Sequence, residues 1–516
     1  MRLWIGIALV VLAGLVLLPV FWMIGTSFWT PETGLTLEHY REVFGSPTTK
    51  PWPLLVDTMR VAGSAALLAM LLGVPYALLI TRVAFPGRRL FTALAIVPIL
   101  MPPLVHAVGW NYAEIPLYDW WGNSLLFAFA YFPFVVLLTS HGLRQVSKSM
   151  EESARLSRST WHVVTGITLR SALPGIFAGA LFVIIFTASD WSVPDYLYFS
   201  SQRSVYLFPV EIFRWWQRLG EPEAACAVAT PAVLLTVILL ALVMRLRGRK
   251  FATVDSAYQK PEDFRPGALG WLGTSFCTLV LGVSGGLPLF ALTRASGSLS
   301  VYPVVFKEVL DEFINSMLIA AGAATWMVVL AFFLAYAITR LRPWMGRTIE
   351  LVSILPLAVP GVMLACGYIR LWNRPTPVIN EIYTSLWMAV IVYGTRFLPL
   401  AVLALTATLM RISPSLEESA AVAGRRWSAG FFSILTPLSL RGLWAAWLLG
   451  FAFTLKDIDI AAVLPAANAS LSMRLNNMVH FAHDERAAAL SVLMVAAVAM
   501  PVLLTYLIAP RFFGKK

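Results

Sequence analysis

The chain has 516 residues, of which 59% are hydrophobic and 13% charged. Soluble domains average about half apolar and a quarter charged, so the composition excludes an ordinary soluble domain and indicates a polytopic membrane protein. The net charge of +12 resides in clusters beside apolar runs: "RVAFPGRR" (82–89), "RLRGRK" (245–250), "RLRPWMGR" (340–347) and "RFFGKK" at the end. That placement is the positive-inside pattern, not the footprint of a nucleic-acid-binding module.

The first segment, "MRLWIGIALVVLAGLVLLPVFWMIGTSFW", has one basic residue and no small-x-small cleavage site. It reads as a retained transmembrane helix, not a cleaved signal. Apolar runs of roughly 20 residues, enough to cross a hydrocarbon core, then recur. They predict spans at 4–28, 59–81, 90–112, 123–143, 174–192 and 224–245, followed by 269–292, 315–339, 349–371, 385–409, 443–464 and 487–509. A polar stretch, "GRKFATVDSAYQKPEDFRPG" (248–267), separates the two sets. The predicted organisation is therefore a first half over 1–247, a cytoplasmic linker over 248–267 and a second half over 268–516. With the basic loops inside, both termini are expected in the cytoplasm.

The two sets read as copies. Pro98 and Pro102 pair with Pro356 and Pro360, Gly109 with Gly367, and Thr81-Arg82 with Thr339-Arg340, all at a spacing of 258 (356 − 98). Pro133, Glu152 and Trp161 pair with Pro399, Glu418 and Trp427 at 266 (418 − 152), and a loop longer by 8 residues in "RLWNRPTPVINEIYTSL" accounts for the change. An even number of spans per half inserts both copies in one orientation. They are then related by a pseudo-twofold axis along the membrane normal, with a pathway expected at their interface.

Two acidic, small-residue segments follow the fourth span of each half: "MEESARLSRSTWHVV" from Met150 and "LEESAAVAGRRWSAGFFSILTPL" from Leu416. In the second, Ser415 is expected to cap a short helix, Glu417 and Glu418 to occupy its first turn, and Gly424 to turn the chain out of it. Ser419 and Ala420 leave that helix narrow enough to enter a groove.

Charges inside apolar runs mark candidate functional sites. These are Arg396 in "VYGTRFLPL", Asp190 in "TASDWSVPDYL", and Lys456, Asp457 and Asp459 in "TLKDIDIAAVL". They are candidates for pathway lining or an external gate, with structural pairing and local capping as the alternatives. Cys226, Cys277 and Cys366 form no close pair and read as inert buried thiols. "HFAHDE" (480–485) has ligand residue types but too few of them for a metal site, and reads better as an external loop. No metal site and no catalytic constellation is expected.

The acidic segments resemble the loop of ABC importer permeases, whose pattern is E-A-A, three residues, G, nine residues, I-x-L-P. The second copy has Glu418-Ser419-Ala420, then Gly424, Ile434 and Pro437. The first keeps Glu152-Ser153-Ala154 but has Arg158 at the glycine position, and its Ile167-Thr168-Leu169-Arg170 lacks the motif's proline. "YGTRFLPLA", "FTASDWSVPDYL" and "FTLKDIDIAAVL" resemble the fused, two-half permeases of the iron(III) and thiamine importer group. The resemblance implies an all-α fold of about twelve transmembrane helices, the type I importer fold, in a bacterial inner membrane. It implies that Glu151, Glu152, Ser153 and Ala154, and Glu417, Glu418, Ser419, Ala420 and Gly424, form coupling helices docking on two copies of an ATPase subunit. It also implies a periplasmic or lipid-anchored solute-binding protein as a partner. The chain carries no G-x-x-x-x-G-K-[ST] motif, so ATP and magnesium are expected on the partner and no cofactor here. "VSGGL" (283–287) is a chance match to an ABC signature inside an apolar run. An ion-coupled secondary transporter with parallel repeats is the alternative.

Overall fold

The computed structural model describes residues 2–30, 34–45, 51–146, 148–156, 159–201, 205–218, 220–247, 264, 267–465, 469–481 and 485–512. Among them are ten helices long and apolar enough to cross a membrane, and two helix pairs bent at a break. In chain order these are α1 (Leu3–Thr26), α2 (Pro51–Arg82), the pair α3 (Arg88–Leu100) and α4 (Pro103–Tyr112), then α5 (Trp120–Leu143). After a short helix α6 (Lys148–Arg155) come α7 (Val164–Ser189) and α8 (Glu223–Leu242). The order then repeats: α9 (Gly267–Ala295), α10 (Leu310–Arg340), the pair α11 (Pro343–Ala358) and α12 (Gly361–Trp372), and α13 (Leu386–Leu409). The short α14 (Ser415–Val422), α15 (Trp427–Lys456) and α16 (Glu485–Thr505) complete it. The chain is a polytopic all-α membrane protein, with a two-residue antiparallel ribbon, Trp29–Thr30 with Gly34–Leu35, as its one named sheet among the described residues.

The third and ninth predicted spans are corrected: each is two helices, meeting at 93° and 99°. Pro102 and Pro360 cause the bends. A proline forces the residue before it out of the helical region, and Met101 (ψ 133°) and Val359 (ψ 126°) are extended. The fifth and eleventh spans begin 10 and 16 residues before their predicted starts (174 − 164, 443 − 427), because the apolar return segments "VTGIT" and "FFSIL" form π-helical turns that run directly into them. They end early at Ser189 and Lys456, where Asp190 and Asp457 turn the backbone to extended values. The extra residues of the second-half loop form a helix of their own, Pro377–Tyr383.

The innermost helices are α5 and α13, the equivalent fourth spans. Each packs against the second and fifth spans of its own half, α2 with α7 and α10 with α15. The first span of each half behaves differently. α1 packs on α10 and α12, and α9 packs on α4. The first helices therefore cross onto the opposite half, so the sequence halves interlock. Both crossing helices contain a π turn, Leu12–Leu17 and Gly282–Gly286, followed by Pro19 and Pro288 at the second position of the next α-helical stretch. The paired glycines Gly109 and Gly367 make room for them. A Cβ at Gly109 would lie 2.7 Å from the Pro288 Cβ, and one at Gly367 would lie 2.7 Å from the Pro19 carbonyl oxygen.

Overpacking of a filled contact costs about 1–3 kcal/mol. Gly367→Leu is thus expected to lower the thermal stability of the purified protein in detergent, followed by tryptophan fluorescence. Gly6→Leu, whose added Cβ meets nothing within 4 Å, is expected to leave it unchanged. Equal stability for the two variants would contradict the crossed packing.

Candidate functional site

Two regions gather the charged candidates that the sequence singles out. The first is the pair of short helices. α6 lies between α5 and α7, and α14 between α13 and α15. α14 starts after Pro414, and its Ser415 side chain caps nothing on the helix. The Ser413 hydroxyl instead accepts from the Ser415 N–H at 3.3 Å. The proline already sets the entering backbone angle, so a capping side chain is redundant there. The other end follows the expectation. Gly424 has φ +74°, Arg425 N–H donates to the Ala420 carbonyl and Gly424 N–H to the Ala421 carbonyl. This is a Schellman termination, in which glycine takes the left-handed position.

The paired glutamates divide into an inner and an outer residue. Glu151 is 1% exposed, and Arg82, at the end of α2, donates to it at 2.6 Å. Thr168 donates to its other oxygen at 2.8 Å. The second half repeats this with Arg340 at the end of α10, which donates to Glu417 at 2.7 Å. Tyr336 adds a donation at 2.9 Å, and Trp427 donates to the Tyr336 hydroxyl at 2.8 Å. Glu151 and Glu417 are therefore not presented outward, which corrects their expected place on a docking face. An ionised carboxylate half-sunk among apolar helix ends needs a buried partner, and the arginine supplies it. Ala420 also faces inward, while Ala154 is half-buried. Glu152, Ser153, Glu418, Ser419 and Gly424 are exposed. Arg158 lies outside the described residues.

Arg82 and Arg340 head two of the basic clusters, which the sequence marks only as part of the positive-inside pattern. At 2% exposure Arg82 is instead internal. Their common spacing of 258 (340 − 82) was the available signal. Among the described residues the first half has a contact without a counterpart in the second. Phe264, in the stretch between the two sets of spans, donates its N–H to the Arg82 carbonyl and accepts from Ala84 N–H. Its ring lies 5.5 Å from the Arg82 guanidinium and 4.9 Å from that of Arg155.

The second region is the seam where α7 and α15 approach. Phe186 and Phe453 face each other with ring centroids 5.5 Å apart, at a spacing of 267 (453 − 186). One turn further along each helix are Asp190 and Asp457, at the same spacing. Asp190 Oδ1 accepts from Val193 N–H and Asp457 Oδ1 from Ile460 N–H, each at 3.0 Å. They are equivalent caps of the chain where it leaves the helix. Asp190, Arg396, Lys456, Asp457 and Asp459 all line one cavity of about 30 Å³, together with Tyr131. This is room for about one water. The sequence candidates thus converge on one place, where the aspartates both cap the chain and line the cavity. The equivalents of Arg396 and Lys456 in the first half, at spacings of 266 and 267, are Ala130 and Ser189. All the additional charges of the seam come from the second half.

His106 is fully buried with Nε2 3.0 Å from the Pro98 carbonyl oxygen, as a core histidine. The three cysteines are buried and unlinked. In "HFAHDE", His480 Nε2 lies 3.3 Å from Asp195, while His483 and Asp484 lie outside the described residues. Among the described residues no cluster of metal-ligating side chains occurs.

Removing one partner of a buried ion pair costs about 3–5 kcal/mol. Glu151→Gln is expected to destabilise the protein markedly in a detergent melting assay. Glu417→Gln, whose pair is 12% and 19% exposed, is expected to cost less, and the exposed Glu418→Gln to fall within about 0.5 kcal/mol of the parent. The reverse ranking would contradict the inner and outer assignment.

Residues 65–246, from α2 through α8, match the family described as binding-protein-dependent transport system inner membrane component. The Fe(3+)-transport system permease protein FbpB 2 of Haemophilus influenzae is 24% identical over 444 residues, covering 84% of this chain and 85% of that protein. The probable ABC transporter permease protein y4fN of Sinorhizobium fredii is 22% identical over 425 residues, 74% of each chain. The molybdenum transport system permease protein ModB of Escherichia coli is 30% identical over 155 residues, 26% of this chain and 66% of that protein. With the family match over most of one set of spans, the same architecture repeated in the other, and relatives aligned along most of its length, the chain is similar throughout to the inner-membrane permeases of ABC importers.

Proposed function

We propose that this chain is a two-half permease, with 1–247 and 268–516 as its halves and 248–267 as a cytoplasmic linker, driven by two copies of a separate ATPase subunit. Both termini and the α6 and α14 helices lie in the cytoplasm in this reading. A binding protein delivers solute to the opposite face. ATP and magnesium are held by the partner.

The observation that carries the proposal is the repeated construction of the two short helices. Each is tied by its inner glutamate to an arginine at the end of a long span, Arg82–Glu151 and Arg340–Glu417, and each exposes its outer glutamate. A helix pushed from below transmits force only if it is fixed to what lies above. The ion pair supplies that fixation, and Glu152, Ser153, Glu418, Ser419 and Gly424 supply the outer surface. The left-handed turn at Gly424 sets the angle at which α14 is offered. ATP-driven closure of the ATPase pair would draw α6 and α14 together and bias the spans toward the outward-facing state, a two-state equilibrium shifted by differential binding.

The seam between α7 and α15 is the pathway in this reading, closed by Phe186 and Phe453 and lined beyond them by Asp190, Arg396, Lys456, Asp457 and Asp459. Iron(III), as in the name of the Haemophilus relative aligned along most of its length, is the first solute to test, and molybdenum, as in the name of the Escherichia one, the second.

Affinity purification of the tagged chain in mild detergent is expected to recover an ATPase subunit, and Glu418→Lys to reduce that recovery and ATP-dependent solute uptake by tenfold or more. Undiminished association and uptake in Glu418→Lys would show that α14 does not dock.

A further inference from the structure

The two broken spans leave an unusual demand at the seam. A helix that stops inside an apolar bundle presents carbonyls with no helical partner and the negative end of its dipole. α3 stops at Leu100 and α11 at Ala358, each at the break of a bent helix pair and each buried. Each break is answered by a cation from the second half. Arg396 donates to the carbonyl of Val359, at the end of α11 in its own half. Lys456 donates to the carbonyl of Ile99, near the end of α3 in the opposite half, at 2.5 Å. Both side chains are buried, with exposures of 2% and 5%.

The two contacts differ in what they join. The Arg396 contact stays within one half and persists however the halves move. The Lys456 contact crosses the seam. Around the ammonium lie the rings of Phe453 at 4.2 Å and Tyr131 at 5.8 Å. The carboxylates of Asp190, Asp457 and Asp459 line the same cavity. If the halves separate at this end, Lys456 has a second set of partners on its own side, Asp457 and Asp459. Its charge is satisfied in either arrangement, which is what a two-state contact requires.

We propose that Lys456 is the latch of the seam: its ammonium, capping the Ile99 carbonyl of the opposite half, holds this end of the pathway closed, and opening transfers it to the carboxylates beside it. The proposal rests on the pathway reading above. It makes Lys456 a positioning residue for the closed state, distinct from groups that bind solute. It also explains why the lysine has a serine, Ser189, at the equivalent place in the first half. One cross-seam cation suffices, because Arg396 already answers the other break.

The test uses the full-length permease alone in lipid nanodiscs, with spin labels at Ile115 and Val378. These are exposed residues in the segments after the two broken spans. Double electron–electron resonance is expected to give one short distance for the otherwise unaltered protein. Lys456→Met is expected to add a longer distance at about tenfold or more its former population, and Lys456→Arg, which keeps the charge and a donor, to restore the single distance. Where Lys456→Met yields no folded protein, Lys456→Gln is measured on the same criterion. An unchanged distance distribution in a folded, uncharged variant, or the same broadening in Lys456→Arg, would overturn the latch. The readout needs no ATPase, so its failure leaves the coupling reading intact, and failure to capture an ATPase leaves the latch intact.

Discussion

A charge buried among apolar helices has to be paired within the protein, and this chain repeats or concentrates such pairing at two levels. At one level, Arg82–Glu151 and Arg340–Glu417 join the ends of long spans to short helices. At the other, Lys456 and Arg396 answer the carbonyl ends of the broken spans. Between the levels the contacts are aromatic and aliphatic, with Phe134, Phe186, Phe397 and Phe453 gathered at the seam. Aromatic packing there slides more readily than a network of ion pairs would. The ionic contacts fix what must move as one piece, and the aromatic layer lies where pieces move against each other.

The repeat is internal evidence for the arrangement. Equivalent residues do equivalent things: Pro102 and Pro360 break spans, Gly109 and Gly367 admit a crossing helix, and Asp190 and Asp457 cap the chain after the fifth span. The departures from the repeat are informative for the same reason. The inner glutamate is more deeply buried in the first half, and Phe264 packs over its arginine partner Arg82. The second half keeps the glycine turn after its short helix and supplies both seam cations. The two halves thus share one scaffold and carry different charges.

Much of this was legible in the sequence. The spans, their count and the repeat follow from apolar run length and from spacings of 258 and 266. The same candidates that stand out as charges in apolar runs converge on one cavity. Three features were hidden. The breaks looked like continuous spans because a bend does not alter composition, although the paired prolines marked where they fall. The crossing of α1 and α9 depends on contacts between segments hundreds of residues apart, which no local pattern records. The division of each Glu-Glu pair into a buried and an exposed member depends on which face of a short helix meets an arginine, and adjacent identical residues give no hint of it.

Leu156 and Val422 occupy equivalent positions just beyond the outer glutamates, at a spacing of 266, and each is 90% exposed. Placing a photo-cross-linking side chain at each position, one at a time, and irradiating cells that express the tagged protein tests the central claim most directly. The account predicts that both positions yield an adduct with an ABC ATPase subunit, and that an equally exposed position at the other end, such as Leu299, yields none. Adducts absent at both positions while uptake proceeds, or the same adduct at Leu299, would contradict it.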